Sequence, residues 1–274
     1  DGVIWIATED GLSRFDGADF VTFRKDNSDS IALINNYIEL IYEVGEQKFI
    51  IGTLSGLQLY DHASRSFVDV PAYIDGVKFP QGMDISCIVC GSDSLVMVGT
   101  SGHGIFVLAN SRDSLSLVQD SELLPNCYYI EKLMLDRNKN LWVSTMNKGV
   151  FVLDSSRKII GSYAFGGSES CFSFVDAPDG YVYMGTSQGN LLKCDVASGS
   201  FVTVASQRQV RSAIMDIQIV DSTSLMLGTD GDGLKIFNTA TGELFDYNLS
   251  LTGLNSRKLK VHSIMRDNCN NLWF

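Results

Sequence analysis

The sequence has 274 residues, of which 45% are hydrophobic and 10% aromatic, and a formal net charge of −11 at pH 7. This length and composition are typical of a folded protein with a large core and exclude a disordered chain. The acidic balance argues against nucleic-acid binding, which needs clustered Lys and Arg. No run of about 18 apolar residues occurs, so the sequence predicts no membrane span.

The chain opens with a pattern of strand, tight turn and strand. Val3–Ile6 is apolar at every position, which predicts a strand buried on both faces. A threonine, Thr8, follows that strand, and Gly11 supplies the positive φ that a tight turn requires. The second strand ends at Phe15 and Asp16.

The same pattern returns five more times, with its threonines 41 to 47 residues apart. The repeats are marked by Thr8, Thr53, Thr100, Thr145, Thr186 and Thr229, and a partial copy begins at Trp273. A small residue precedes every threonine: Ala7, Gly52, Gly99, Ser144, Gly185 and Gly228. Small side chains there predict that adjacent repeats approach closely. The turn position is held by Gly11, Gly56, Gly104, Gly149 and Gly233, with Asn190 in the fifth copy.

A period of about 40–50 residues built from strands is typical of a β-propeller. We therefore predict an all-β fold of four-stranded antiparallel blades, with residues 1–274 forming a single β-propeller of about six repeats. The chain opens and closes within the repeat, so we expect it to be a fragment of a longer protein. A ring of six blades could close by pairing the last inner strand with the first middle strand.

Each blade is expected to run from an inner strand A to an outer strand D. The A strands include Cys171–Asp176 and Val261–Asp267, and the D strands include Ser66–Val70. Longer connections, such as Tyr73–Gly82 and Gln119–Tyr128, lead from strand D to the next strand A. They are expected on the same face as the B–C turns, where loops on a rigid scaffold carry function.

The first copy, DGVIWIATEDGLSRFDG, resembles the two-component-regulator propeller repeat, G-x-I-W-I-A/G-T-x-D/S-G-L-x-R-F-D. Its tryptophan recurs at Trp142 and Trp273. That repeat occurs in the periplasmic sensor regions of hybrid two-component histidine kinases of Bacteroidetes-type bacteria. The resemblance implies a ring of seven blades, which we favour over six. It also implies sensing of glycan-derived oligosaccharides, signalling to further propeller and kinase modules of the same chain, and a homodimer.

Candidate ligand-binding residues lie on the predicted loop face. Aromatic rings can stack on the apolar faces of sugars, and amide and charged groups can bond sugar hydroxyls. Packing at the start of the A strands is the alternative for the tyrosines. The candidates are Asn36, Tyr37, His103, Tyr128, Tyr129, Arg211, Lys258 and His262.

The sequence points to no metal or cofactor. Asp136-x-Asn138-x-Asn140 and the segment after Asp267 resemble the start of a calcium loop but lack its glycine and distal glutamate. Asp and Asn at such hairpins predict side-chain turns instead. Cys87 and Cys90 lie on one predicted strand, where residues three apart point to opposite faces.

Two other classes of function remain open. A propeller enzyme, such as a lyase or glycosidase, would gather acidic side chains with perturbed pKa values at the mouth of the channel. No nucleophile or acid–base motif is present, so we expect no enzyme activity in this chain. An interaction scaffold would instead expose a broad apolar patch.

Overall fold

A computed structural model describes residues 3–26, 28, 32–45, 48–79, 82–91, 95–111, 114–195, 199–206, 208–247 and 258–274. These residues form 27 β-strands and no α-helix. The described part of the chain has no helix long and apolar enough to cross a membrane. Two compact units divide the chain, an N-terminal unit, Asp1–Leu133, and a C-terminal unit, Met134–Phe274.

The N-terminal unit contains three blade sheets. Its strands are β1 (Ile4–Thr8), β2 (Gly11–Phe15), β3 (Phe20–Phe23), β4 (Ile38–Gly45), β5 (Lys48–Thr53), β6 (Gly56–Asp61), β7 (Ser66–Val70), β8 (Ala72–Ile74), β9 (Val77–Lys78), β10 (Ile85–Cys90), β11 (Val96–Thr100), β12 (Gly104–Ser111) and β13 (Ser114–Gln119). The sheets have the orders β1-β2-β3, β4-β5-β6-β7 and β10-β11-β12-β13-β8-β9.

The C-terminal unit starts within strand β14. The strands that follow the N-terminal sheets are β14 (Ile130–Leu135), β15 (Leu141–Thr145), β16 (Gly149–Leu153), β17 (Ile159–Tyr163), β18 (Cys171–Asp176), β19 (Val182–Thr186), β20 (Leu191–Asp195), β21 (Ser200–Ala205), β22 (Ile214–Ile219), β23 (Ser224–Thr229), β24 (Leu234–Asn238), β25 (Leu244–Tyr247), β26 (Met265–Arg266) and β27 (Leu272–Trp273). They form three four-stranded sheets and the β26-β27 hairpin.

The predicted all-β fold of antiparallel propeller blades is confirmed. The described residues form six blades, which is the alternative to the favoured count of seven. Strands β18 and β7 have the predicted bounds. The last predicted A strand, Val261–Asp267, is shorter and is reduced to β26. The sequence also predicts tight polar turns between strands A and B, among them those at 46–47 and 92–93, which lie outside the described residues.

One element was not predicted. Within the expected connection Tyr73–Gly82, strands β8 and β9 form a hairpin around Asp75 and Gly76, whose φ angles are +50° and +78°. Strand β8 pairs in parallel with β13, so the third blade has six strands. Paired positive φ values at an Asp-Gly step are typical of a type I′ hairpin turn.

The second strands are largely buried in every blade except the first. Strands β11, β15 and β19 are buried at every position. In β1, however, Ile6 is 39% exposed, so the prediction of burial on both faces is wrong there. Strand β5 has a blade on each side within the N-terminal unit, whereas the first blade packs in that unit against the second blade.

The small residues before the threonines do allow close approach, as predicted. A Cβ atom added to Gly52 would lie 2.7 Å from Leu40 Cγ and 2.9 Å from Ile85 Cγ2. At Gly185 the added atom would lie 2.7 Å from Ile214 Cβ. Ile85 and Ile214 belong to the inner strand of the following blade, so a larger side chain would separate the two blades.

Each repeat threonine closes the turn that follows it. The Thr145 hydroxyl donates to the carbonyl of Gly149 at 2.8 Å and accepts from the amide of Lys148 at 3.1 Å. The same pair of bonds forms in the first, second, third and sixth copies. In the fifth copy the Thr186 hydroxyl donates to Glu169 instead and accepts from the amide of Asn190.

The predicted side-chain turn at Asp136 is confirmed. One carboxylate oxygen accepts from the amides of Asn138 and Asn140, and the other accepts from the Asn140 side chain and from Trp142 Nε1 at 3.1 Å. Asp267, Asn271 and Trp273 repeat this arrangement in the β26-β27 hairpin. Both carboxylates accept hydrogen bonds from protein donors, so the side-chain turns explain these two aspartates.

We expect Thr145→Val to lower the free energy of unfolding by about 1–3 kcal/mol, because it removes a buried hydroxyl and both of its hydrogen bonds to the backbone. Urea denaturation followed by tryptophan fluorescence measures the change. Thr203→Val is the matched control, since Thr203 is exposed on outer strand β21. Equal effects of the two substitutions would contradict this role of the repeat threonine.

Hydrogen bonds from Trp273 and Asn271 lower the pKa of Asp267 to about 2. Because an unfolded Asp titrates near pH ~4, the carboxylate stabilises the β26-β27 hairpin above that pH, and this stabilisation is lost as the pH falls toward ~2. The indole N–H resonance of Trp273 should therefore shift with a midpoint well below pH ~4. Asp267→Asn should abolish that transition, and a midpoint near pH ~4 in the native protein would contradict the assignment.

Candidate functional site

The connections from strand D to strand A meet the B–C turns, as predicted for a common loop face. In the N-terminal unit the amide of Gly11 donates to the carbonyl of Asn36 at 2.8 Å, and that of Gly104 donates to Tyr128 at 2.8 Å. In the C-terminal unit the amide of Gly233 donates to Leu259 at 3.1 Å. The turn of one blade therefore positions the residues that enter the next.

Asn36 and Tyr37 have partners within the protein. The side-chain oxygen of Asn36 accepts from the amide of Lys25 at 2.6 Å, which orders the connection. The hydroxyl of Tyr37 donates to Glu9 at 3.4 Å. Burial and then the negative charge of Glu39 raise the pKa of Tyr37. Both residues support the loop face, and Tyr37 also borders a group of acidic side chains.

A cleft of about 460 Å³ lies in the N-terminal unit. We name it the third-blade cleft, because the β8-β9 hairpin, the turn between β11 and β12 and the connection after β13 form its walls. Its lining comprises Ile74, Asp75, Gly102, His103, Gly104, Ile105, Gln119, Asp120, Ser121, Leu124, Pro125, Asn126, Cys127 and Tyr128. Two predicted site residues, His103 and Tyr128, are therefore brought together.

Local contacts fix these two side chains. Tyr128 is 51% exposed, and its hydroxyl donates to the side-chain oxygen of Asn126 at 3.3 Å. The ring of His103 packs edge-on against Phe79 at a centroid distance of 4.7 Å. The side chain of Gln119 donates to the His103 carbonyl at 2.7 Å. Tyr129 is 47% exposed and, unlike its neighbour, does not line the cleft within the described residues.

The remaining predicted residues, Arg211, Lys258 and His262, lie in the C-terminal unit. The amide of Arg211 donates to Asp232 at 3.0 Å, and Nε2 of His262 lies 3.4 Å from Asp230. Lys258 is exposed. Hydrogen bonds from Lys260 and His262 lower the pKa of Asp230.

Beside Arg211, a buried lysine bridges two carboxylates. Nζ of Lys235 lies 2.9 Å from Asp232 and 2.8 Å from Asp246, and the lysine is 4% exposed. These ion pairs connect the B–C turn of the sixth blade to its outer strand. This part of the C-terminal loop face is thus a network of compensated charges.

Sequence reasoning missed a group of carboxylates that lie on or immediately before the inner strands of the N-terminal unit. Burial and the charge of Asp84 raise the pKa values of Glu39 and Glu131, and burial raises the pKa of Asp84. The only sequence signal for this group was the alternation of apolar and polar residues along the inner strands A. No set of three or more potential ligand side chains among the described residues could hold a metal ion.

We expect Asp84→Asn to lower the pKa values of Glu39 and Glu131, because it removes a neighbouring negative charge. Since the folded state keeps these protons to higher pH than the unfolded chain, native stability falls as the pH rises from the ordinary toward the raised pKa values. The Asp84→Asn variant should show a smaller fall in native stability over this pH range. Carboxyl NMR titration and urea denaturation across pH measure both effects.

Asp19→Asn is the control for that experiment, since Asp19 is an exposed turn residue of the same unit. It should leave both glutamate titrations unchanged. Unchanged titrations in Asp84→Asn would contradict electrostatic coupling among the three inner carboxylates.

No protein-family model and no curated protein matches the sequence. Solved structures do match. The extracellular domain assigned to the hybrid two-component system BT3049 of B. thetaiotaomicron is 22% identical, with a TM-score of 0.79 over 99% of this chain and 37% of that one. The corresponding domain assigned to BT4673 of the same organism is 21% identical, with a TM-score of 0.77 over 98% of this chain and 37% of that one.

The same fold is also similar to that of an enzyme. A catalytically inactive virginiamycin B lyase from Staphylococcus aureus is 10% identical, with a TM-score of 0.66 over 92% of this chain and 82% of that one. At these identities the likeness shows the fold. The chain spans 37% of the length of the two extracellular domains, which are the kind of protein to which the repeat resemblance points.

Proposed function

We propose that this chain is part of the extracytoplasmic, periplasmic sensor region of a hybrid two-component system. It binds glycan-derived oligosaccharides and signals to a histidine kinase elsewhere in the same protein. The observation that carries the proposal is the match over 99% of the chain to the extracellular domain assigned to such a system. The repeat phrase DGVIWIATEDGLSRFDG supports it independently.

The loop face supplies chemistry suited to sugars. In the third-blade cleft, the exposed ring of Tyr128 lies with the amide side chains of Gln119 and Asn126. An aromatic ring stacks on the C–H face of a sugar, while amides bond its hydroxyls. The arrangement binds and orients a ligand, and we propose no chemical reaction there.

Signalling then requires a ligand that binds one arrangement of the full protein better than another. A ligand can shift an equilibrium only by its difference in affinity for the two states. We propose that binding on the loop face changes the relative arrangement of propellers in a homodimer and so biases the kinase. The B–C turns, held by the repeat threonines, serve as fixed points for the binding loops.

Calorimetry of the complete extracytoplasmic region against defined oligosaccharides tests the proposal. We expect saturable heat with at least one glycan and a loss of affinity of about fivefold in Tyr128→Ala, since a lost stacking contact is worth about 1 kcal/mol. His262→Ala examines the C-terminal loop face in the same way. Tyr247→Ala is the control, because Tyr247 is exposed on outer strand β25.

The outcomes distinguish the sensor role of the protein from the position of its binding site. Binding that survives both substitutions would keep the sensor but move its site away from these residues. No binding across the panel would contradict glycan sensing.

The inner carboxylates favour a glycoside hydrolase or lyase as a second candidate. Acidic groups with raised pKa values can act as general acids near neutral pH. Incubation of the same oligosaccharides with the protein, followed by chromatography of the products, tests for cleavage. An enzyme should produce fragments that disappear in Glu39→Gln and Asp84→Asn, whereas the sensor should leave every oligosaccharide intact.

A further inference from the structure

We infer that a groove between the second and third blades binds small aromatic carboxylates. This is a second class of ligand, at a site separate from the third-blade cleft, and it does not require that the protein binds glycans. The inference follows from the apolar walls of the groove, from the aromatic rings that fill the equivalent space between other blades, and from one exposed lysine in its lining.

We name this site the inter-blade groove. Its volume is about 740 Å³, within the range of roughly 300–1,000 Å³ that is typical of small-molecule sites. Eight of its eleven lining residues are apolar, and the two walls include Leu59, Val68, Val70, Val96, Leu108 and Leu115. Val96 begins strand β11, whereas the turn that follows the end of β11 lines the third-blade cleft. The two sites therefore lie at opposite ends of the third blade.

The inter-blade groove is continuous with the hydrophobic core between the two blades. Val70 and Val96 belong to the buried cluster there, and Leu59 and Leu108 pack against it while remaining partly exposed. Val68, on the outer strand β7, is 55% exposed. The apolar surface thus runs from the core to solvent, and an apolar group bound against it would remove that surface from water.

Aromatic rings fill the equivalent space between the first and second blades and between the fourth and fifth. Phe23, Val70 and Tyr163 are equivalent, because each pairs with the residue that directly follows the turn glycine of its blade. The ring of Phe23 contacts that of Phe67 in the second blade at a centroid distance of 5.6 Å. The ring of Tyr163 stacks on that of Phe201 in the fifth blade at 4.7 Å.

Between the second and third blades, aliphatic side chains replace this pair of rings. Val70 stands where the first ring lies, and Leu117 stands where Phe67 does, since both pair with the fourth residue after a turn glycine. Among the described residues, no ring-to-ring contact crosses this interface. Protein cores are otherwise closely packed, so the smaller side chains leave the inter-blade groove. The repeat itself therefore indicates a flat aromatic group as the occupant.

The charge of the lining favours a carboxylate on that aromatic group. Lys48 is the one cationic residue among those that line the inter-blade groove, and its side chain is 54% exposed. Its Nζ lies 3.8 Å from the carboxylate of Asp61, beyond the roughly 2.7–3.2 Å of a hydrogen bond. The carboxylate of Asp69, also in the lining, accepts from the side chain of Gln58 at 2.8 Å. Lys48 can therefore donate to a ligand carboxylate.

The test is a fluorine NMR titration of the complete extracytoplasmic region. The probe 4-fluorocinnamate carries a ring and a carboxylate, 4-fluorocinnamyl alcohol lacks the charge, and hexanoate, which lacks the ring, is added as a competitor. Val70→Phe places a ring where the equivalent positions carry one, and Val68→Phe adds a ring from the exposed side. Lys48→Gln removes the cation. Val202→Phe is the control, because Val202 is 56% exposed on outer strand β21.

We expect saturable binding of 4-fluorocinnamate, weaker binding of the alcohol and weak competition by hexanoate. Val70→Phe and Val68→Phe should each weaken binding about tenfold or more, because the added ring occupies the inter-blade groove. Lys48→Gln should weaken it about threefold, as expected for an exposed ion pair. Val202→Phe should leave affinity unchanged. Circular dichroism checks that each variant keeps its fold, and the exposed Val68→Phe serves if the buried Val70→Phe does not fold.

Absence of saturable binding of 4-fluorocinnamate would overturn the inference, and so would binding that Val68→Phe and a folded Val70→Phe leave unchanged. Equal affinity for the alcohol, or unchanged affinity in Lys48→Gln, would contradict the selection of carboxylates. Equally strong binding of hexanoate would contradict the selection of aromatic rings. Protection of the Val68 methyl groups from a soluble paramagnet in the ligand-free region would show that another part of the protein fills the inter-blade groove, which would also overturn the inference.

Discussion

The rest of the structure depends on the pair of hydrogen bonds that the hydroxyl of each repeat threonine makes. In five of the six copies the hydroxyl donates to one backbone group and accepts from another within the same turn, as at Thr145 with Gly149 and Lys148. A valine of the same shape would remove both of these bonds from a side chain that is buried. Because the turn is fixed, its glycine amide can bond the connection that enters the next blade, as Gly104 does with Tyr128. One side chain per blade therefore orders both the blade and the loop beside it.

The connections between blades vary on this constant frame, and the candidate site follows from that variation. Only in the third blade, among those described, does a connection fold into a hairpin that adds strands β8 and β9 to the sheet. The same addition creates a wall of the third-blade cleft and brings Asp75 to it. In the sixth blade the turn between β23 and β24 carries instead the buried ion pair of Lys235 with Asp232. Equivalent positions of the repeat thus line a cleft in the third blade and form ion pairs in the sixth.

Features that repeat could be predicted from the sequence, and features that occur once could not. The spacing of the threonines and the small residues before them predicted the blades, and the close contact of Gly185 with Ile214 shows why a larger residue is excluded. The β8-β9 hairpin was missed because it interrupts the repeat, although its Asp75-Gly76 step is a recognisable turn signal. The exposure of Ile6 could not be predicted either, because burial of a strand depends on which blades flank it.

The candidate site was predicted in part, for a physical reason. His103 and Tyr128 follow from their places on the turn and on the connection, and the structure brings both to one cleft. Asp120 also lines this cleft, but no motif marked it, because the cleft exists only where the distant β8-β9 hairpin supplies a wall. The raised pKa values of Glu39 and Glu131 likewise arise from burial and from Asp84, which lies on a different blade. Proximity of this kind is set by the packing of blades and not by local sequence.

The central claim is that a glycan binds in the third-blade cleft. A crystal structure of the complete extracytoplasmic region with a bound neutral oligosaccharide tests it most directly. The account predicts a sugar ring against Tyr128, with hydroxyls bonded to Asp120 or Asn126. A sugar bound elsewhere, with the third-blade cleft occupied by solvent alone, would contradict it.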